Sequence, residues 1–274
     1  MNFLEEIVSK KKLEVEEAIK RTSFEEIVRV ALSIKPKNNF KNAIARVGYE
    51  PLKIIAEIKR ASPSKGMIAG DIEPQAVAED YESGGAAAIS ILTERSYFKG
   101  TTNDFRSVRE KVPEIPLLRK DFIIDEYQIY ESLVMGADAI LLIVAALSNH
   151  ELETLLSLSK KCGMSVLVEA HSESELDSAL SAGAEIVGIN NRNLITFEVS
   201  KETSAKLSGL IPDNVVSVSE SGIHDEEGLR AAGELGYDAV LVGEHFMRSS
   251  NRKEEVRKFA SFGMTQTAKP AART

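Results

Sequence analysis

From Ile54 onward the chain repeats one pattern: a short apolar run, a loop, a helical segment, then another apolar run. The runs fall at 54–59, 87–92, 115–120, 139–144, 165–169, 186–190, 215–219 and 239–242. Each is too short for a helix and is apolar on both faces, so each reads as a buried strand. Their starts lie roughly 20 to 30 residues apart, the spacing of a βαβ unit. Gly84-Gly85-Ala86, Gly136-Ala137-Asp138, Gly183-Ala184-Glu185 and Gly236-Tyr237-Asp238 each read as a helix-ending glycine followed by entry into a strand. Strands buried on both faces and separated by helices are parallel. Eight such units predict an α/β fold, a closed (β/α)8 TIM barrel over residues 48–264. An open doubly wound sheet would show fewer strands and a polar edge.

Ahead of the first run, residues 1–47 carry two amphipathic stripes. Leu4, Ile7, Val8, Lys11, Val15 and Ala18 form one; Phe24, Ile27, Val28 and Ala31 form the other. They predict a helical extension of two helices packed over the top of the barrel and not across its bottom. The basic run Lys10 to Lys12 reads as a solvated helix face. Residues 265–274 are polar, contain Lys269-Pro270 and are expected to be disordered.

Composition narrows the class of protein. Hydrophobic residues make up 43% and charged residues 28%, an ordinary balance for a globular chain. No apolar run approaches the roughly 20 residues of a membrane span, and the N-terminus lacks a signal-peptide pattern. The single cysteine, Cys162, excludes an internal disulfide and suits a reducing cytoplasm. It precedes the fifth run, at the wrong end of a barrel for chemistry. The net charge of −8 argues against a nucleic-acid or acidic-membrane partner. A small anionic substrate remains open, given a local cluster of basic groups and backbone N–H. Monomer and weak homodimer are both left open. The four histidines, His150, His171, His224 and His245, show no metal-ligand spacing.

In such a barrel the active site lies at the C-terminal ends of the strands. There the polar residues collect. Glu57 and Lys59 share one face at the end of the first run. Lys120 ends the third, Glu169 the fifth, and Asn190 with Arg192 the sixth. Glu220 and Ser221 follow the seventh, and Glu244 the eighth. A single charged strand end is an ordinary solvent contact; the same feature on six strands is not. Gly222 and Gly243 follow the seventh and eighth runs, where barrels bind phosphate through backbone N–H groups. His171 lies just beyond the fifth run, and His-Ser-Glu-Ser also suits a helix start, which is the reading preferred here.

These residues resemble indole-3-glycerol phosphate synthase. Ile55-Ala-Glu-Ile-Lys-Arg-Ala-Ser-Pro-Ser-Lys-Gly66 resembles the family's first-strand signature, and Leu118-Arg-Lys-Asp-Phe-Ile123 its third. Val168-Glu-Ala170, Gly188-Ile-Asn-Asn-Arg-Asn-Leu194 and Ser219-Glu-Ser-Gly-Ile223 resemble strands five to seven. The likeness covers nearly the whole chain. It departs at Gly243-Glu244-His245, where the family often carries a small hydroxyl residue.

The resemblance implies ring closure of 1-(2-carboxyphenylamino)-1-deoxyribulose 5-phosphate with loss of CO2 and water, without metal or organic cofactor. It implies Lys120 as general acid and Glu169 as base. Lys59 would hold the substrate carboxylate or serve the dehydration, and Glu57 would orient Lys59. Asn190 and Arg192 would bind the carboxylate side, Glu220 would lie near the sugar hydroxyls with Glu57 also contacting one, and Ser221 would be a further substrate-binding residue. Phe98, Phe122, Leu141 and Leu194 would wall the aromatic ring. Ser62 and Ser64 sit on a loop able to close over the site. Gly222, Gly243 and Glu244 would frame the phosphate. Two alternatives stay open. A phosphoribosylanthranilate isomerase would want a cysteine and an aspartate at strand ends, and this chain has no such cysteine. A non-catalytic barrel could bind a phosphorylated metabolite as a regulator.

Overall fold

The structure is a computed structural model and describes residues 3–262 apart from Tyr49. The polar tail lies outside the described residues. Eight parallel strands close into a barrel: β1 (Lys53–Ile58), β2 (Ala88–Leu92), β3 (Leu117–Lys120), β4 (Ala139–Ile143), β5 (Ser165–Ala170), β6 (Ile186–Asn190), β7 (Val216–Glu220) and β8 (Ala239–Val242). Each strand pairs with its sequence neighbours, and β8 closes on β1. The expected barrel is therefore present, with strand ends within two residues of the apolar runs.

The strands alternate between two apolar surroundings, as a pleat requires. Ile55, Leu118, Leu141, Leu167, Val218 and Leu241 pack against one another inside the barrel. Ile54, Ala56, Ile58, Leu117 and Ile140 pack outward against the helices. That helical layer is α4 (Pro74–Gly84), α5 (Thr102–Lys111), α6 (Glu126–Val134), α7 (Asn149–Lys161), α8 (Glu173–Ser181), α9 (Glu202–Ser208), α10 (Glu226–Glu234), α11 (Glu244–Arg248) and α12 (Arg252–Ser261). Local sequence starts and stops these helices. Capping boxes open α5 (Thr101 with Asp104) and α7 (Ser148 with Glu151). Gly85 ends α4 with φ of 91°, a conformation few other residues adopt.

The N-terminal extension holds three helices, not two: α1 (Phe3–Arg21), α2 (Phe24–Ala31) and α3 (Phe40–Ile44). α1 crosses the C-terminal end of the barrel. Its Ile7 is fully buried with Leu118 and Phe122. Its Lys11 is buried, not solvated, and pairs with Asp121 at 2.9 Å and Glu14 at 2.6 Å. Asp121 also meets Arg119, which reaches Glu131 on α6. This buried chain of charges ties α1 to the residue that follows Lys120.

The expectation that the extension avoids the bottom is corrected by α3. Phe40 and Ile44, one turn apart, plug the N-terminal end of the barrel with no exposure. Flanking backbone is pinned to the strand starts. Asn38 N–H donates to Asp138 ahead of β4 (2.8 Å), Lys41 N–H to Ser165 on β5 (3.3 Å), and Arg46 N–H to Asp238 ahead of β8 (3.3 Å). A barrel's interior layers of apolar side chains need a cover at both ends, and the extension supplies both.

Emptying the plug should separate stability from chemistry. Phe40→Ala is expected to lower unfolding free energy by about 3–5 kcal/mol in urea melts. The folded fraction should keep its substrate KM, since Phe40 lies at the far end from the charged strand ends.

Candidate functional site

One cleft opens at the C-terminal ends of the strands, and every site residue expected from the sequence lines it. Lys120 is central. It ends β3, and its Nζ lies 2.7 Å from Glu220 Oε2 on β7 and 3.1 Å from Glu169 Oε2 on β5. Glu57 on β1 completes the ring of acids and pairs with Lys59 Nζ at 2.6 Å. The three carboxylates are 2% (Glu169), 1% (Glu220) and 3% (Glu57) exposed, so their charges depend on these partners and not on water.

Register sets this geometry. Glu57 lies beside Ser90 of β2, Glu169 beside Gly188 of β6, and Asn190 beside Glu220. The same-face alternation that puts Leu118, Leu167 and Val218 in the interior raises the next inward residue on each strand to the mouth. An apolar barrel with a charged rim is the outcome.

The electrostatics follow from crowding. Burial opposes the charge on Lys120, but Glu220, Glu169 and Glu57 outweigh it and hold its pKa above the ordinary lysine range. The sequence left the sign of that shift open, and the structure makes it upward. Burial also opposes ionisation of Glu169, and Lys120, His171 and Asn190 outweigh it, keeping this carboxyl well below its usual range. Glu220 goes the other way. Burial, with the charges of Glu169 and Glu57, pushes it up to about 7 against the pull of Lys120. Two neighbouring acids that share one ammonium thus divide: Glu169 stays a carboxylate, and Glu220 is the one that takes a proton near neutrality. Glu220 Oε1 is buried with no hydrogen-bond partner among the described residues.

Loops finish the cleft. A small hairpin of Ala61–Ser62 against Gly66–Met67 follows β1 and carries Ser62 and Ser64. Arg192 after β6 donates to Ser64 Oγ (3.0 Å) and to the Phe197 carbonyl (3.1 Å). Arg60 anchors the hairpin's base to Asp104 of α5 at 2.5 and 3.0 Å. Asn190 Oδ1 accepts the backbone N–H of Arg192 (3.0 Å). Ser221 and Gly222 both take positive φ, 65° and 81°, which turns the chain sharply after β7. Gly243 has a second reason to be glycine. A Cβ there would lie 2.4 Å from Glu57 Oε1 and 3.0 Å from Lys59 Nζ. Glu244 lines the cleft and pairs with Arg248 at 3.1 Å, whereas His245 pairs with Glu255 and stacks on Phe259.

Phe98, Phe122, Leu141 and Leu194 also line the cleft. Sequence reasoning missed Phe3 and Phe197, which pack edge to face at 4.8 Å over the opening. Phe3 heads α1 and Phe197 sits in the loop after β6, so neither lies near a strand end. His171, read as a helix start, also comes within 3.4 Å of Glu169. Among the described residues, no group of three or more His, Cys, Asp or Glu is arranged to hold a metal ion.

Comparison with known proteins decides the family. The family profile for indole-3-glycerol phosphate synthase matches residues 4–259. The chain belongs to the indole-3-glycerol phosphate synthase family. Members of this family are carboxy-lyases of tryptophan biosynthesis. The chain is 48% identical over 258 residues to the indole-3-glycerol phosphate synthase of Endomicrobium trichonymphae, covering 93% of this chain and 98% of that one. It is 47% identical over 261 residues to that of Acetivibrio thermocellus, covering 94% and 98%. Solved structures share the barrel at low identity. The thiamine phosphate pyrophosphorylase of Pyrococcus furiosus superposes with a TM-score of 0.60 at 16% identity, covering 82% of this chain and 98% of that one. The 3-hexulose-6-phosphate synthase of Salmonella typhimurium gives 0.60 at 13%, covering 78% and 99%. At that identity they show the fold alone. No helix among the described residues is long and apolar enough to cross a membrane.

The strand β6 residue Gly188 makes the cluster possible. A Cβ there would sit 2.1 Å from Glu220 Oε1 and 3.1 Å from Leu167. Gly188→Ala should therefore push Glu220 off Lys120 while leaving the barrel folded. A misplacement of about 1 Å within a catalytic cluster costs on the order of 10²-fold in rate. Steady-state kinetics should show a kcat loss of that order, with circular dichroism unchanged. Full activity would mean that Glu220 is not held where the structure puts it.

Proposed function

We propose that this cleft closes the indole ring of 1-(2-carboxyphenylamino)-1-deoxyribulose 5-phosphate by dividing acid and base work between its strands. The observation that supports this most is the position of Lys120. It is an ammonium at the mouth of an apolar barrel, between Glu169 and Glu220 and across from the Glu57–Lys59 pair.

The chemistry sets the requirements. The ring carbon bearing the carboxylate attacks the sugar carbonyl, and an acid must protonate the carbonyl oxygen as it gains charge. The new C–C bond then allows CO2 to leave and the ring to regain aromaticity. Finally the new hydroxyl leaves as water while a proton is lost beside it. Lys120 is read as the acid for ring closure and Glu169 as the base that takes the last proton. Lys59 is read as the holder of the substrate carboxylate and a candidate acid for loss of the hydroxyl, with Glu57 orienting it. Asn190 and Arg192 serve the carboxylate side, and Glu220 and Ser221 the sugar hydroxyls. Phe98, Phe122, Leu141 and Leu194 sandwich the aromatic ring, with Phe3 and Phe197 as a cover. Backbone N–H groups at Gly222 and Gly243 hold the phosphate, with Glu244 beside it. A single chain supplies all of these groups, which suits a monomer or a weak homodimer. Its place of work is read as the cytoplasm.

Turnover is read directly as indole fluorescence when the purified chain meets the carboxyphenylamino substrate. Binding without turnover would turn the reading into that of a regulator. General acid–base catalysis contributes about 10²–10⁴-fold, so Lys120→Met should lose roughly that much kcat with little change in KM. Glu169→Gln should lose somewhat less. Lys59→Met should raise KM as well, because Lys59 also meets an anionic group of the substrate. A folded Lys120→Met variant within about threefold of the parent kcat, far inside that range, would remove Lys120 from the acid's place.

A further inference from the structure

His171 lies outside the cleft wall and behind Glu169. It is the first residue beyond β5, and its side chain is 13% exposed. Its Nδ1 lies 3.1 Å from Glu175 Oε2, and the same oxygen accepts the His171 backbone N–H at 2.9 Å. Its Nε2 lies 3.4 Å from Glu169 Oε1, an ion-pair contact, and is buried with no hydrogen-bond partner among the described residues. Glu175 stands in the first turn of α8, whose N-cap Ser172 accepts the Glu175 N–H at 3.3 Å. An imidazole is thus wedged between a helix-start carboxylate and the carboxylate read as the base.

Two ionised carboxylates offer only acceptors, so both ring nitrogens carry protons and the ring is a cation. Burial opposes that charge, and Glu169 and Glu175 outweigh it, pushing the imidazolium up to about 10. The other groups around Glu169 are Lys120 of β3, Asn190 of β6 and, through Lys120, Glu220 of β7. Glu169 therefore faces two cations, and they differ in kind. Lys120 points into the cleft and must turn to the substrate carbonyl. His171 is not part of the cleft lining, so substrate entering the cleft need not displace it.

We propose that His171, held as an imidazolium by Glu175, is the positioning residue that keeps Glu169 ionised while Lys120 is engaged with substrate. The proposal rests on Glu169 as the base. The sign follows from charge. Removing an opposite charge near a carboxylate raises its pKa, so the ionised base is lost at a higher pH than before. The part of the kcat profile's acid limb that belongs to Glu169, below the step near 7 that belongs to Glu220, then moves upward, and the alkaline plateau is spared.

The test compares kcat against pH for the parent, His171→Asn and Glu175→Gln, alongside a 13C titration of the Glu169 carboxyl assigned with Glu169→Gln. In His171→Asn that part of the acid limb and the Glu169 midpoint should both move up by about one unit or more, the scale of one nearby opposite charge. The kcat on the alkaline plateau should stay within about threefold of the parent. Glu175→Gln keeps a hydrogen-bond acceptor for Nδ1 but removes its charge. It should shift both readouts the same way by less, and it carries the test if His171→Asn does not fold. An unmoved Glu169 midpoint overturns the proposal whatever Glu169 does in catalysis. A uniform kcat loss at every pH overturns it too, because that is the mark of a merely structural histidine. Full kcat in folded Glu169→Gln overturns the base reading, and the catalytic half of the proposal with it, even where the midpoint moves.

Discussion

Lys120 can carry a full charge at the rim of an apolar barrel because Glu57, Glu169 and Glu220 stand around it. A lone buried ammonium would give up its proton, and lone buried carboxylates would take one. Together they settle into a charged cluster with one proton in play, on Glu220. The rest of the upper barrel serves this arrangement. Gly188 and Gly243 leave out side chains that would collide with Glu220 and with the Glu57–Lys59 pair. His171 and Asn190 add to Lys120 in favouring the ionised form of Glu169. The Lys11–Asp121–Arg119 network fixes the chain immediately next to Lys120.

The two ends of the barrel divide the labour. The N-terminal end is sealed by Phe40 and Ile44, and its polar contacts, from Asn38, Lys41 and Arg46, go to strand starts. The C-terminal end holds buried charge, one strained residue at Ser221, and loops tied down by Arg192–Ser64 and by Arg60–Asp104 of α5. Strain and buried charge lower stability, and the sealed end and the helix caps offset that loss.

Much of this was legible in the sequence, for a physical reason. A charge that ends an apolar strand is costly, so Glu57, Lys120, Glu169 and Glu220 stood out from their runs without any structure. Elements with a period were legible too, down to the helix-ending glycines. What had no period was not. α3 is five residues long and shows only Phe40 and Ile44, too few to mark a face. Phe3 and Phe197 reach the cleft from a helix and a loop distant from the strand ends. Lys11 sat in both an apolar stripe and a basic run, and only Asp121, far along the chain, decides that it is buried. His171 shows how a correct local reading can hide a tertiary one. Ser172 does cap α8, yet the residue before the cap turns back onto Glu169.

The central claim is that the carboxylates around Lys120 keep it an ammonium in the free protein. Side-chain 15N NMR of lysine-labelled protein measures this directly, with the Lys120 signal identified by its loss in Lys120→Met. An ammonium signal that persists above the ordinary lysine midpoint of about 10.4 is the expected result. A Lys120 that titrates at or below that value would show that burial wins over the carboxylates, and would contradict the account.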